Sequence, residues 1–117
     1  MNENYIRQTV VYGNHFWDFY NAQTKEVQGK IDWVIGLVRT LRIVPEKFFK
    51  HLEETDGLYE MRIKVGSDIF RVFCCFDKGN LIILLNGFQK KSVKTPRQEI
   101  ERAEKLKQQY YESKKAK

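Results

Sequence analysis

The segment RIKVGSDIFRVFCCFDKGNLIILLNGFQKK, residues 62–91, decides the fold. It contains three runs rich in β-branched and aromatic residues, separated by the turn sequences Gly66-Ser67-Asp68 and Asp77-Lys78-Gly79-Asn80. Runs of this composition that are divided by Gly, Asn and Asp predict an antiparallel meander of three strands. The third run, residues 81–85, is apolar throughout, which is typical of a central strand covered on both faces.

Alternation along the strands assigns the charged side chains of this meander to one face. Arg62 and Lys64 share that face, and we expect Arg71 on the neighbouring strand within reach of both. Three like charges this close repel one another unless an anion lies among them. The group is therefore either an anion-binding site or a polar, solvent-facing surface on which Glu60 is a partial partner. Phe73 is the clearest candidate for an exposed aromatic ring on the sheet.

The remainder of the chain predicts one more strand and several helices. Residues 7–12 have the composition of a short first strand. The polar stretch 21–24 favours two helices over one continuous helix before residue 42. Residues 45–52 predict a short helix with proline in its first turn. The pair Thr95-Pro96 predicts the start of a C-terminal helix, with threonine as the N-cap.

The length and composition fit one domain, residues 1–117, with 42% hydrophobic residues. The predicted fold class is α+β: an N-terminal strand and helices packed on a small twisted antiparallel sheet, followed by a basic C-terminal helix. The chain has no apolar run of the roughly 20 residues that span a bilayer and no apolar leader, so we expect no membrane association. Cys74 and Cys75 are neighbours in a strand, and we interpret them as reduced packing residues of a cytoplasmic protein.

The positive charge is concentrated in the last quarter of the chain. Residues 86–117 contain 10 Lys and Arg against 4 Asp and Glu, a difference of +6 that equals the net charge of the whole protein. Such an excess suggests an anionic partner: a nucleic acid, a membrane surface or an acidic protein. A solvated helix with a basic end would give the same distribution.

The sequence predicts no metal site and no cofactor. His15 and His51 have no Cys, His or Asp at ligand spacing, and there is no glycine-rich phosphate loop. The acidic residues are scattered, which argues against a carboxylate cluster for a magnesium-dependent nuclease.

Two segments carry a family resemblance: residues 58–73, LYEMRIKVGSDIFRVF, and residues 87–91, GFQKK. Together with the order of elements and Thr95-Pro96, they resemble the phage-derived, HigB-like branch of the RelE/ParE toxin superfamily. The resemblance implies a RelE-like fold and the toxin of a type II toxin–antitoxin pair. It further implies an endonuclease that cuts mRNA on the ribosome without a metal, by attack of the ribose 2′-hydroxyl on the adjacent phosphate.

The resemblance also implies roles for individual residues. Lys64 would transfer a proton, Arg71 would bind the phosphate through its planar guanidinium, and Arg62 and Lys91 would hold flanking phosphates. Asn86 stands where branch members often carry histidine, and the C-terminal tyrosine of some relatives has no clear counterpart, since Tyr110 and Tyr111 lie within the predicted C-terminal helix. We predict RNA contacts for four further residues: Lys90, Lys91, Lys94 and Phe73.

The expected partners are the ribosome, mRNA and a helix-turn-helix antitoxin. The antitoxin would form a hetero-oligomer with the toxin and cover its C-terminal region and the cations Arg62, Lys64 and Arg71. Two alternatives are a non-enzymatic toxin that poisons DNA gyrase, like ParE members, and a simple basic nucleic-acid-binding module. Cleavage needs the strand cations and gyrase poisoning does not. Because Arg71 is expected on the solvent face, its truncation should cost little stability.

Overall fold

The structure is a computed structural model, and it describes residues 5–115. Within that range the protein is α+β, as predicted, with a mixed sheet in the order β1-β5-β4-β3-β2. No helix in the described range has the length and apolar character needed to cross a membrane. The elements are β1 (Gln8–Val11), α1 (His15–Asn21), α2 (Lys25–Thr40), β2 (Phe49–His51), β3 (Tyr59–Val65), β4 (Asp68–Phe76), β5 (Leu81–Lys90) and α3 (Arg97–Lys115).

The predicted meander is confirmed, since β3, β4 and β5 pair antiparallel in sequence order. Val65 lies opposite Asp68 across the first turn, and Gly66 has a φ of +60°. Glycine in this conformation at the first central position is what a two-residue type II′ hairpin requires. The sheet departs from a purely antiparallel one at β1, which pairs with β5 in parallel.

Helices cover both faces of the sheet, which gives the protein two hydrophobic cores. Helices α1 and α2 pack on one face, here the α1/α2 face, and α3 packs on the other, here the α3 face. Strand β5 contributes to both: Ile82 and Leu84 lie in the first core, and Ile83 and Leu85 lie in the second. The prediction that residues 81–85 form a doubly covered central strand is therefore confirmed.

The N-terminal half follows the sequence-based prediction closely. Strand β1 falls inside the predicted range 7–12, and the break at residues 21–24 separates α1 from α2. The Thr24 hydroxyl accepts a hydrogen bond from the Val27 amide at 3.2 Å, so threonine caps α2. Cys74 and Cys75 are buried free thiols, one in each core, because consecutive strand residues point to opposite faces.

The helix predicted for residues 45–52 is wrong. Residues 46–48 form a turn, and Phe49–His51 is β2, an edge strand that pairs antiparallel with β3. A helix would place Phe49 and Leu52 on one side, but they pack into the α1/α2 core and the α3 core respectively. The hairpin with β3 pairs the backbone of this segment and partly buries both side chains at once.

A β-bulge in β5 changes which side chains reach the α3 face. Phe73 of β4 lies opposite Asn86, but the next residue, Cys74, lies opposite Leu84, so Leu85 is an inserted residue. After the bulge the even-numbered residues face α3, and Phe88 joins Leu85 in the α3 core. Strict alternation from residue 81 would instead send Lys90 to the α1/α2 face.

Candidate nucleic-acid interface

Helix α3 covers one part of its face of the sheet, and charged side chains occupy the other part. Lys50 of β2 lies opposite Glu60 of β3, and Arg62 of β3 lies opposite Arg71 of β4. Arg71 in turn lies opposite Phe88, which precedes Lys90 by two residues on the same side of β5. The structure therefore brings Arg62, Arg71 and Lys90 together on adjacent strands. We call the group Lys50, Glu60, Arg62, Arg71 and Lys90 the cationic face.

The cationic face is centred on a buried ion pair. Arg71 Nη1 donates to Glu60 Oε2, and the two residues are only 9% and 3% exposed. The expectation that Arg71 stands on the solvent face is therefore wrong. Glu60 is diagonal to Arg71 across the two strands, close enough for a long side chain to reach it. A charge this far from water needs a partner, and Glu60 supplies it.

The ion pair leaves part of its hydrogen-bonding capacity unused. Glu60 Oε1 and Arg71 Nε are buried and have no hydrogen-bond partner among residues 5–115. Arg62 Nε is likewise buried and has no hydrogen-bond partner among these residues. Unpartnered buried donors are costly, so the two guanidinium groups gain more from an incoming acceptor than exposed ones would.

Lys90 responds to the positive charge around it. Partial burial lowers the pKa of its ammonium below the ordinary value, and the neighbouring Arg71 guanidinium lowers it further. Glu60 raises the pKa, and Arg62 and Lys50 lower it. Burial is therefore the main cause of the downward shift in the pKa of Lys90, and the neighbouring cations add a repulsion that a bound phosphate would offset.

Lys64 and Lys91 border the cationic face, and Lys94 follows in the segment before α3. Lys64 is exposed on β3, in the row of the sheet where Ile69 separates it from Lys90. Lys91 and Lys94 are exposed in the segment between β5 and α3. Their proposed contacts with RNA stay predictions.

Phe73 is not an exposed aromatic, which corrects the prediction that it contacts RNA. It is fully buried in the α3 core, with its ring 5.2 Å from that of Phe88 in an edge-to-face arrangement. Alternation identified the face correctly but gave no sign that α3 covers this part of it. The exposed rings are Trp17 and Trp33, which are 47% and 49% exposed. The sequence did contain a sign that Trp33 is exposed, because it lies off the helical spacing of the buried residues of α2, which are Val27, Ile31, Val34 and Val38.

Asn86 joins the sheet to the start of α3. It is 1% exposed, and its Nδ2 donates to the Glu99 carbonyl oxygen at 3.2 Å and to Glu99 Oε1 at 3.1 Å. Asn86 therefore holds α3 against β5. An amide at this position has no titratable proton, so it does not reproduce the acid–base chemistry of a histidine.

The two C-terminal tyrosines anchor α3 far from the cationic face. The Tyr110 hydroxyl donates to Asp77 Oδ2 at 2.5 Å, and the Tyr111 hydroxyl donates to the Phe76 carbonyl oxygen. Phe76 is five residues from Arg71 along β4, or about 17 Å of extended strand. Neither tyrosine is therefore placed to act at the cationic face.

Nothing in the described range groups three or more His, Cys, Asp or Glu side chains as metal ligands. The chemistry available at the cationic face is instead that of guanidinium and ammonium groups. These can bind phosphate oxygens and, in the case of the ammonium groups, transfer protons.

A sheet whose antiparallel meander carries grouped cations beside a C-terminal helix defines a small α+β domain with a cationic face. The family model for phage-derived Gp49-like proteins matches residues 18–108, which include α2, the whole meander and most of α3. The chain belongs to this Gp49-like family, a toxin-like family of toxin–antitoxin systems related to RelE. No curated protein matches the chain.

We predict that Arg71→Ala destabilises the protein by about 3–5 kcal/mol, because it leaves the Glu60 carboxylate buried without its partner. A double variant, Glu60→Leu with Arg71→Met, should recover most of that loss, since it removes both charges and keeps their volume. Urea unfolding of the three proteins measures the effect. A single variant as stable as the wild type would show that the pair is not buried in solution.

We also predict an acid-sensitive anchor for α3. Hydrogen bonds from the Lys114 ammonium and the Tyr110 hydroxyl lower the pKa of Asp77 from 3.8 to about 2. Because the folded-state pKa is the lower one, this contribution to stability is present above about pH 4 and is lost as the pH falls towards 2. The wild type should therefore exceed Asp77→Asn in urea midpoint at pH 6, and the difference should vanish near pH 2. A difference that is independent of pH would contradict this assignment.

Proposed function

We propose that this protein is the toxin of a type II toxin–antitoxin pair, of the HigB-like kind, and that it cleaves mRNA on the ribosome. The observation that carries the proposal is the cationic face, where Arg71 is fixed by Glu60 between Arg62 and Lys90. Membership of the toxin-like family supports the same reading.

The proposed reaction needs no metal. The 2′-hydroxyl of one nucleotide loses its proton to a base, and its oxygen forms a bond to the adjacent phosphorus. The bond from phosphorus to the 5′-oxygen of the next nucleotide breaks, and an acid protonates that oxygen. The products are a 2′,3′-cyclic phosphate and a 5′-hydroxyl. Negative charge grows on the non-bridging oxygens on the way, so positioned cations lower the barrier.

Arg71 is the residue best suited to bind the phosphate undergoing attack. Its contact with Glu60 uses Nη1, and its buried Nε–H has no partner among the described residues. A guanidinium held in one orientation loses little entropy when it binds an oxyanion, which is the preorganisation that electrostatic catalysis requires. Arg62, on the neighbouring strand, would bind the next phosphate.

Lys90 and Lys64 are the candidates for proton transfer. They lie two strands apart in one row of the sheet, about 10 Å between backbones, with Ile69 between them. A phosphodiester above Ile69 would be within reach of both side chains. Lys90 would serve as the acid, because its lowered pKa eases proton release to the leaving 5′-oxygen. Lys64, in its neutral amine form, would accept the proton of the 2′-hydroxyl.

We predict that Lys90→Gln reduces cleavage on the order of a hundredfold or more, because it removes one positioned charge from the transition state. Lys90 forms no salt bridge among residues 5–115, so the variant should unfold within about 0.5 kcal/mol of the wild type. Mapping of mRNA ends in a translating extract measures the cleavage. The matched control is Lys78→Gln, an exposed lysine in the turn between β4 and β5.

Two outcomes would contradict the endonuclease proposal. If Lys90→Gln cleaves as fast as the wild type, the cationic face is not the active site. If expression of the wild type stops DNA synthesis while translation continues, the protein is a gyrase poison of the ParE kind.

We further propose that the antitoxin places an acidic segment over the cationic face. This proposal is based on the unpaired positive charge of the cationic face. That charge would attract a partner of opposite charge and raise its association rate. Changing Lys90 and Lys91 to Glu should lower the association rate of the cognate antitoxin about tenfold or more at low salt, and added salt should lower the wild-type rate. Stopped-flow binding measures both.

The control for the antitoxin experiment is a variant at a second candidate binding surface. A groove between β1 and α1 exposes Val10 and Trp17, which are 44% and 47% exposed. The antitoxin binds this apolar groove instead if its association rate is unchanged by salt and by the change of Lys90 and Lys91 to Glu, but falls in Trp17→Ala.

A further inference from the structure

A cleft of about 470 Å³ opens between α2 and the end of β3, beside the cationic face. Four of the residues that line it are cations from three different parts of the chain, and none of its lining residues is acidic. A shallower depression adjoins it and adds Trp33 and one carboxylate, Glu26. The residues lining the cleft are Lys30, Lys47, Phe48, Arg62, Lys64 and Gly66.

The cleft exists because the edge strand β2 is short. Its pairing with β3 begins at Phe49 opposite Met61, and the Arg62 amide donates to the Phe48 carbonyl oxygen at 2.9 Å just beyond it. From Ile63 to Val65 no strand pairs with the outer edge of β3. The sheet edge at Lys64 is therefore open in the described part of the chain, and the side chains around it can meet a ligand.

Two aromatic rings lie side by side in and beside the cleft, each with a lysine ammonium group over it. The Trp33 ring lies edge-to-face with that of Phe48 at 5.5 Å, and Trp33 is 49% exposed. Lys30 Nζ is 4.6 Å from the Trp33 ring centre, and Lys47 Nζ is 5.1 Å from that of Phe48. Cations that track a backbone beside rings that accept bases are the combination by which proteins bind single-stranded nucleic acid.

The cations of the cleft are not neutralised within the protein. Among residues 5–115, Lys30, Lys47, Arg62 and Lys64 form no salt bridge. The buried Nε of Arg62 has no hydrogen-bond partner there either. Like charges grouped in this way repel, and a bound anion removes the repulsion.

We propose that this cleft is a second RNA-binding subsite, which takes a phosphate of single-stranded RNA among its cations and stacks an unpaired base on Trp33. The inference rests on the proposed function for the identity of the nucleic acid. Arg62 lines the cleft and also belongs to the cationic face, so one strand can run from Lys90 across Arg62 to Lys30. The substrate is thereby an extended single strand, and recognition in the cleft tolerates any base.

The test measures binding apart from cleavage. Fluorescence anisotropy of a labelled 2′-O-methyl oligouridine, which has no free 2′-hydroxyl to attack, gives the Kd of the whole protein at several salt concentrations. Lys30→Gln with Lys47→Gln should raise the Kd about tenfold or more. It should also reduce the slope of log K against log salt by about 0.7, the contribution of one phosphate contact of a single strand.

Trp33 is tested by two substitutions. Trp33→Ala should raise the Kd about five- to a hundredfold, the range found for a lost base–aromatic stack. Trp33→Phe keeps a ring and should retain most of the affinity, which separates stacking from a disturbed fold. Matched controls remove exposed residues elsewhere: Trp17→Ala for the ring, and Lys25→Gln with Lys78→Gln for the charges. Urea unfolding checks each variant.

The outcomes are distinct from those of the proposed function. An unchanged Kd and salt slope in Lys30→Gln with Lys47→Gln would overturn the subsite, even if cleavage still depends on Lys90. Binding of a polyglutamate peptide that RNA fails to displace would also overturn it, because the cleft would then be a protein-binding surface. If no cleavage is found in any extract but the Kd rises as expected, the subsite stands and the endonuclease proposal falls.

Discussion

The pairing of β4 with β5 is the constraint on which both the fold and the candidate site depend. Before the bulge at Leu85, β5 is apolar on both sides and supplies the two cores at once. After the bulge, the strand turns its remaining side chains over, so that Lys90 faces the same side as Arg71. The inserted residue, Leu85, therefore separates the apolar first half of β5, which fills the cores, from the second half, which carries Lys90.

The close fit beneath the second half of β5 shows why the bulge cannot be lost without wider change. Gly87 lies against the Phe19 ring of α1, so close that a Cβ there would be 2.7 and 2.8 Å from ring atoms Cε2 and Cγ. A one-residue slip would bring Asn86 or Phe88 to this position, and neither would fit. Packing on the α1/α2 face thus fixes which residues of β5 reach the α3 face.

The ion pair at the centre of the cationic face is better explained by function than by stability. Burying two charges costs several kcal/mol for each ion, and their attraction repays this only when the surrounding hydrogen bonds are complete. Glu60 Oε1 and Arg71 Nε are not satisfied within the described chain, so the pair is incomplete. An apolar pair of the same size would serve the core equally well. What the ion pair adds is a guanidinium held still at the edge of an open surface.

The sequence predicted those features of the fold that follow from local chemistry. Alternation assigned the faces of β3 and β4 correctly because neither strand is interrupted, and the polar stretch 21–24 marked the break between α1 and α2. The bulge at Leu85 has no local signature in an apolar run, so the face of Lys90 was not predictable. The burial of Phe73 and Arg71 depends on α3 and on Glu60, which are close in space but distant in sequence.

The distribution of charge along the sequence does not by itself show where unpaired positive charge lies on the folded protein. The excess of +6 falls in residues 86–117, yet much of the positive charge of α3 is already paired. Arg102 contacts Glu99, Lys107 contacts Glu104, and Lys114 contacts Asp77. By contrast, the unpaired cations of the cleft come from residues 1–85, where acidic and basic residues balance in number. Charge that is balanced along the sequence can still be separated in space, and it is the separated charge that attracts an anionic ligand.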